Sequence, residues 1–162
     1  MKRLILIRHA KSDWSEPELK DFDRSLNARG KRDAPVMADK LFSKYSKADA
    51  LISSPAKRAL TTAKVFFQRY EKSVLIERSE IYEARYLQLI QLINSFDDKW
   101  NTVILFGHNP GFSDLASMLS GQNIELPTCA MAALEFDFKN WELISAETGK
   151  LVYFNFPKNV EQ

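Results

Sequence analysis

The sequence predicts an α/β fold, a three-layer α/β/α sandwich whose sheet is mainly parallel, with antiparallel C-terminal strands. Three observations carry this. Short apolar runs recur at residues 4–7 (LILI), 49–54 (DALISS), 73–79 (SVLIERS) and 101–108 (NTVILFGH). Between them the apolar residues fall at helical spacing. Beyond residue 120 the rhythm changes to strand-like alternation. Strands that alternate with helices build parallel sheets covered on both faces.

The first run, unbroken by polar residues, suits a strand buried on both faces. Residues 13–23 are polar and contain Pro17, which predicts a loop. From Ala28 to about Tyr45, the residues Ala34, Met37, Ala38, Leu41 and Phe42 line one helix face. After the second strand, Pro55 opens a helix that runs to about Tyr70, since proline suits a first turn. The third strand leads to a helix with Tyr86, Leu89, Ile90 and Ile93 on one face. The fourth leads to a short helix from Gly111 to Leu119, ended by Gly121. AALEFDF (132–138) and GKLVYFNF (149–156) read as strands, with a turn at 147–149 between them.

Composition narrows the function classes. A chain of 162 residues suits a single domain, 1–162. The charge balance, 23 basic against 21 acidic residues, offers no basic stripe for nucleic acid. No apolar stretch approaches the roughly 20 residues of a membrane span, and the N-terminal run is too short for a signal peptide. Cys129 is the only cysteine, which rules out an intrachain disulfide and a cysteine-rich zinc site. These features lead to an expectation of a cytoplasmic protein with no nucleic-acid or membrane partner. Composition leaves the oligomeric state open.

The chain has two histidines, and both end predicted strands. His9 follows LILIR and His108 follows VILFG. In parallel α/β sheets, ligands bind beyond the carboxyl ends of the strands. The second strand ends on the same edge, and Arg58 follows it in the first turn of a helix. Arg8, His9, Arg58 and His108 are thus expected at one cleft. Two guanidiniums and two imidazoles make an anion site, because arginine matches phosphate with paired N–H donors. A neutral imidazole beside arginines can also act as a nucleophile. Two histidines with no third ligand are too few for zinc, so no metal or cofactor is expected.

The motifs LIRHAKS, SSPAKRALTTA and GHNPG, in this order, resemble the three signatures of the histidine phosphatase superfamily, the phosphoglycerate-mutase-like fold. RSLNARGKRDA (24–34) resembles the segment between the first two. The likeness is greatest to the short SixA-type phosphohistidine phosphatases. It covers residues 1–119 well and the C-terminal strands loosely. The resemblance implies that His9 is the nucleophile and becomes transiently phosphorylated. It implies that Arg8 and Arg58 clamp the phosphoryl oxygens and that His108 completes the pocket. No metal is needed in this scheme. Ala10 stands where the family often has glycine, and Lys11 where mutase-like members have an acid. Ser15 occupies the position of a family asparagine and is a candidate phosphate donor. Glu83, in EIYEARY, is the candidate proton donor, with Glu80 close by.

Larger relatives insert a helical cap around the cleft. Here only about 22 residues separate the third strand from the fourth, enough for one helix, so no cap domain is expected. An open cleft suits a phosphorylated side chain on a protein. The expected activity is therefore a metal-independent phosphohydrolase acting on protein phosphohistidine. Alternatives are a phosphomonoesterase for small phosphoesters such as sugar phosphates, or a non-catalytic phosphate-binding module. Trp14 is expected at the cleft rim, Trp100 and Trp141 in packing, and Cys129 in the core. Asn109, Pro110 and Gly111 are expected to shape the turn after His108.

Overall fold

The computed structural model of the protein describes residues 1–157. Six strands form one sheet, in the order β3 (Val74–Glu77), β2 (Ala50–Ser53), β4 (Thr102–Gly107), β1 (Lys2–Arg8), β5 (Met131–Phe136), β6 (Gly149–Asn155). The first four strands in this order run parallel. β5 pairs antiparallel with β1, and β6 antiparallel with β5. The parallel sheet with added antiparallel C-terminal strands is the architecture expected from the sequence.

The pleat explains why β1 is apolar at every central position. Leu4 and Leu6 face one core, with Leu105, Leu89, Ile93 and Phe112. Ile5 and Ile7 face the other, with Phe106, Met37, Leu41 and Phe66. Alternate side chains of a strand point to opposite faces, so a strand between two helical layers must be apolar throughout. The first layer holds α3 (Tyr86–Asn94) and α4 (Gly111–Ser120). The second holds α1 (Ala28–Lys44) and α2 (Lys57–Phe67).

Helix limits differ slightly from the expected ones. α2 starts at Lys57, so Pro55 lies ahead of it and only prepares its entry. It ends at Phe67, and residues 68–70 form turns rather than a last helical turn. The polar stretch 13–23 is loop as expected, but it closes in a short 3-10 turn, Asp21–Asp23. No helix of the described residues is long and apolar enough to cross a membrane.

Candidate active site

Register brings the chemistry together. Arg8 pairs with Gly107 across β1 and β4, and Ser53 pairs with Phe106 across β2 and β4. The next residue on each strand is therefore His9, His108 and Ser54. The ladder continues into them: His9 N–H donates to the Gly107 carbonyl at 3.0 Å, and Ser54 N–H to the Phe106 carbonyl at 3.0 Å. Cys129 N–H clamps the Arg8 and His9 carbonyls from the far side at 3.1 and 3.0 Å. Cys129 itself is buried, with a left-handed φ of 61°. Burial pushes its thiol well above the ordinary range, which suits a core residue.

His9 is buried, and its Nδ1 lies 2.7 Å from the Ala10 carbonyl. A carbonyl oxygen only accepts, so the hydrogen bond assigns the proton to Nδ1 and leaves Nε2 unprotonated. Arg58 agrees with that tautomer, donating Nε–H to His9 Nε2 at 3.3 Å. Burial, with the Arg58 and Arg8 charges, lowers the His9 pKa to about 4, against the backbone bond and Asp21, which raise it. His9 is therefore neutral at pH 7.

The His108 ring centroid lies 5.3 Å from that of His9. Burial, then His9 and Arg58, lower its pKa to about 3. Its Nε2 lies 2.8 Å from Ser54 Oγ. That oxygen also accepts from Ala56 N–H at 3.2 Å, and its second lone pair leaves either His108 tautomer compatible with the contact. His108 Nδ1 is a buried atom with no partner among the described residues.

Arg8 donates to the Leu126 carbonyl at 3.0 Å, while its buried Nε has no partner among the described residues. Arg58 is almost fully buried at the start of α2. Beyond His9, it donates to the Asp21 carbonyl at 2.7 Å and to Asp21 Oδ2 at 2.9 Å. Thr62 ties the helix to the segment after His9, donating to the Arg58 carbonyl at 2.8 Å and accepting from Ala10 N–H at 3.1 Å. The structure thus brings Arg8, His9, Arg58 and His108 to one sheet edge. Two buried nitrogens there, Arg8 Nε and His108 Nδ1, have no hydrogen-bond partner among the described residues. Buried polar atoms are rarely left so, and the Arg8 Nε–H is a donor that can receive an anion.

The other candidates stand apart. Ser15 is exposed, and its N–H donates to Asp13 Oδ1 at 2.8 Å. Glu83 is exposed with a left-handed φ of 57°, next to Tyr82. Trp14 is exposed under the Arg24 guanidinium, 3.9 Å from its ring centroid. Trp141 and Trp100 pack around Phe96. Asn109 caps α4, its Oδ1 accepting from Ser113 N–H and Oγ–H. A Cβ on Gly111 would collide with the Ala84 carbonyl, so glycine there lets the 81–84 segment close on the cleft. No cluster of metal-ligating side chains occurs among the described residues.

Sequence reasoning missed Asp21, Tyr82, Ser54 and Thr62. Tyr82 O–H donates to Asp21 Oδ2 at 2.8 Å, and its ring meets His108 edge-on at 5.5 Å. Burial, then the Asp21 hydrogen bond and charge, raise the Tyr82 pKa to about 12. Burial alone would raise Asp21, but hydrogen bonds from Tyr82 and Arg58 outweigh it and hold the carboxyl below its usual range. Thr62 and Ser54 lie within the SSPAKRALTTA motif, which was the available signal.

The family model of the histidine phosphatase superfamily (branch 1) matches residues 4–108, from the first strand to the second histidine. An uncharacterised chloroplastic protein of Arabidopsis thaliana is 34% identical over 159 residues, covering 91% of this chain and 72% of that protein. A crystal structure from Agrobacterium tumefaciens, assigned as the phosphohistidine phosphatase SixA, superposes with a TM-score of 0.84 at 27% identity. It covers 96% of this chain and 98% of its own. A protein histidine phosphatase SixA complexed with tungstate has a TM-score of 0.77 at 19% identity, covering 98% and 99%. The last likeness is one of fold.

Proposed function

The chain belongs to the histidine phosphatase superfamily, a family of phosphatase enzymes, and from that premise we propose that it removes the phosphoryl group from protein phosphohistidine. His9 is the proposed nucleophile and carries the phosphoryl group in an intermediate. The observation that carries this reading is the state of His9 Nε2. It is an unprotonated nitrogen at a strand end, 3.3 Å from the Arg58 guanidinium, in a site that also holds the buried Arg8 Nε–H and His108 Nδ1.

The reaction follows from these groups. The His9 Nε2 lone pair attacks phosphorus. A P–N bond forms as the bond from phosphorus to the substrate imidazole breaks, and the departing nitrogen keeps that pair. An imidazole protonated on its other nitrogen departs neutral and needs no further proton. Water then attacks phosphorus, the P–Nε2 pair returns to His9, and inorganic phosphate leaves with the water oxygen. Arg8, Arg58 and His108 stabilise the charge on the phosphoryl oxygens in both steps. Phosphoryl transfer asks chiefly for such positioning and charge stabilisation. The proposed reaction draws both from side chains and uses no metal or cofactor.

The leaving group favours phosphohistidine over an ester. An alkoxide must be protonated as it departs. Glu83, the proposed donor for an ester oxygen, is exposed to solvent beside Tyr82. The single helix between β3 and β4 also supports an open cleft that a protein surface can reach.

The test is hydrolysis of a phosphohistidine-bearing protein and of an aryl phosphate, each with EDTA, by the wild type and His9→Ala. The expected result is turnover by the wild type in EDTA, fastest on the phosphoprotein, and none by the variant. Faster turnover of small esters would move the substrate to that class. A fully active His9→Ala protein would end the proposal.

A further inference from the structure

Arg58 has five N–H donors, and three are engaged before any substrate binds. Nε reaches His9, while the two terminal nitrogens reach Asp21, one to its carbonyl and one to its carboxylate. Asp21 belongs to the 3-10 turn Asp21–Asp23. It therefore comes from a loop that shares no strand or helix with the other cleft residues. Tyr82 holds the same carboxylate oxygen from the other side, at 2.8 Å. Phe22, the next residue, packs edge-on against the Tyr82 ring at 5.2 Å. The turn is fastened to the cleft through four contacts.

The position of this carboxylate is unusual for a site that takes an anion. Asp21 is close enough to raise the pKa of both His9 and His108 by its charge. Its side chain is 44% exposed, while that of Arg58 is 8% exposed. It thus covers the outer side of the guanidinium and leaves only the inner side to face His9. Glu125, also exposed, acts on Arg8 in the same sense. Glu83 stands beside Tyr82. Asp21 and Glu125 thus set exposed carboxylates against the two arginines of the cleft.

We propose that Asp21 is a specificity residue that filters substrates by charge, admitting one phosphoryl group and repelling a second anion attached to it. The filter rests on the phosphohistidine reading above and deepens it. A phosphorylated imidazole brings no anion besides the phosphoryl group. A phosphoester with a nearby carboxylate brings one, and the outer N–H groups of Arg58 that would receive it already hold Asp21. A carboxylate set against Asp21 meets repulsion that rim charges use to reject wrong partners.

The experiment uses a matched pair of ligands, glycerol 3-phosphate and 3-phosphoglycerate, which differ in a hydroxymethyl group against a carboxylate. Each is measured as a competitive inhibitor of phosphoimidazole turnover, in wild type and in Asp21→Asn. The wild type is expected to bind 3-phosphoglycerate more weakly than glycerol 3-phosphate by about tenfold. Asp21→Asn is expected to bring the two inhibition constants within about threefold of one another. An equal preference in the two proteins would overturn the filter. So would an equal loss of both ligands in the variant, since that is what an Asp21 that only positions Arg58 would give. Should the variant fail to fold, the wild-type ratio decides, and equal binding of the two ligands sinks the proposal. Absence of phosphoimidazole turnover in the wild type would instead count against the phosphohistidine reading. The same two ligands measured by calorimetry would then still decide the filter.

Discussion

Lys2 and Arg8 stand at opposite ends of the same strand, and each carries a positive charge into the protein. Lys2 is 1% exposed, and all three of its ammonium donors are used. They reach the Asp98 carbonyl at 2.6 Å, the Trp100 carbonyl at 2.7 Å and Asn101 Oδ1 at 3.2 Å. The Trp141 ring lies against the same ammonium. Arg8 donates to one carbonyl and keeps a buried Nε with no protein partner among the described residues. The amino end of β1 spends its cation on holding the fold. The carboxyl end keeps donors in reserve and sets a neutral imidazole beside them. Satisfaction of buried polar atoms, more than their charge, separates the two ends.

The comparison predicts that substitutions at one end cost rate and at the other cost stability. The largest effect is expected for His9→Ala, which should lower turnover by about 10⁴-fold or more, as loss of a covalent nucleophile does. Its thermal midpoint should stay close to that of wild type. Next is Arg8→Gln, expected to lower kcat/KM by about 10²- to 10³-fold, the scale of a lost donor to developing charge. Inorganic phosphate or tungstate is expected to raise the thermal midpoint of the wild type, and Arg8→Gln should remove that rise. Lys2→Met should do the reverse. Removing the ammonium takes the Lys2 donor from the Asp98 carbonyl and Asn101 Oδ1, while Trp100 keeps the Trp141 indole N–H; the loss costs on the order of 1–3 kcal/mol in urea unfolding, while kcat should not change. A loss of turnover in Lys2→Met, with stability intact, would break the comparison.

The smallest effect is a pH dependence with a fixed sign. Both imidazoles have their pKa lowered in the folded protein, from an ordinary 6.5 to about 4 for His9 and about 3 for His108. Between those values and 6.5, the unfolded chain binds protons that the folded one refuses. Stability therefore falls as pH drops from about 6.5 toward 4. Urea unfolding of wild type at pH 7.5 and pH 5 should show that loss, and His9→Ala should reduce it. Activity should stay level through neutrality and decline only as His9 itself takes a proton near pH 4.

Much of this was legible in the residues. LILI and VILF are apolar at every position because their strands are buried on both faces, and that burial placed Arg8, His9 and His108 at one edge. Arg58 followed from its place in the first turn after β2. Asp21 and Tyr82 were not legible. They lie 37 and 24 residues before and after Arg58 in the sequence, and only the closing of two loops brings them onto it. Loop closure leaves no periodicity to read. Ser15 illustrates the converse. Its position in the motif suggests a phosphate donor, while its backbone N–H bonds to Asp13 Oδ1 in an exposed loop, a local contact that the motif does not encode. Pro55 marked the entry to α2 correctly but sits before its first turn, since helix limits shift with packing.

The central claim is that the carboxyl end of β1 holds a nucleophile, and trapping the intermediate tests it most directly. Wild type and His9→Ala are mixed briefly with ³²P-phosphoimidazole, quenched in base, and digested for mass spectrometry. The account predicts an acid-labile, base-stable phosphate on His9 that appears before free phosphate and is absent from the variant. Turnover by the wild type with no label on His9, or label carried by another residue in both proteins, would contradict it.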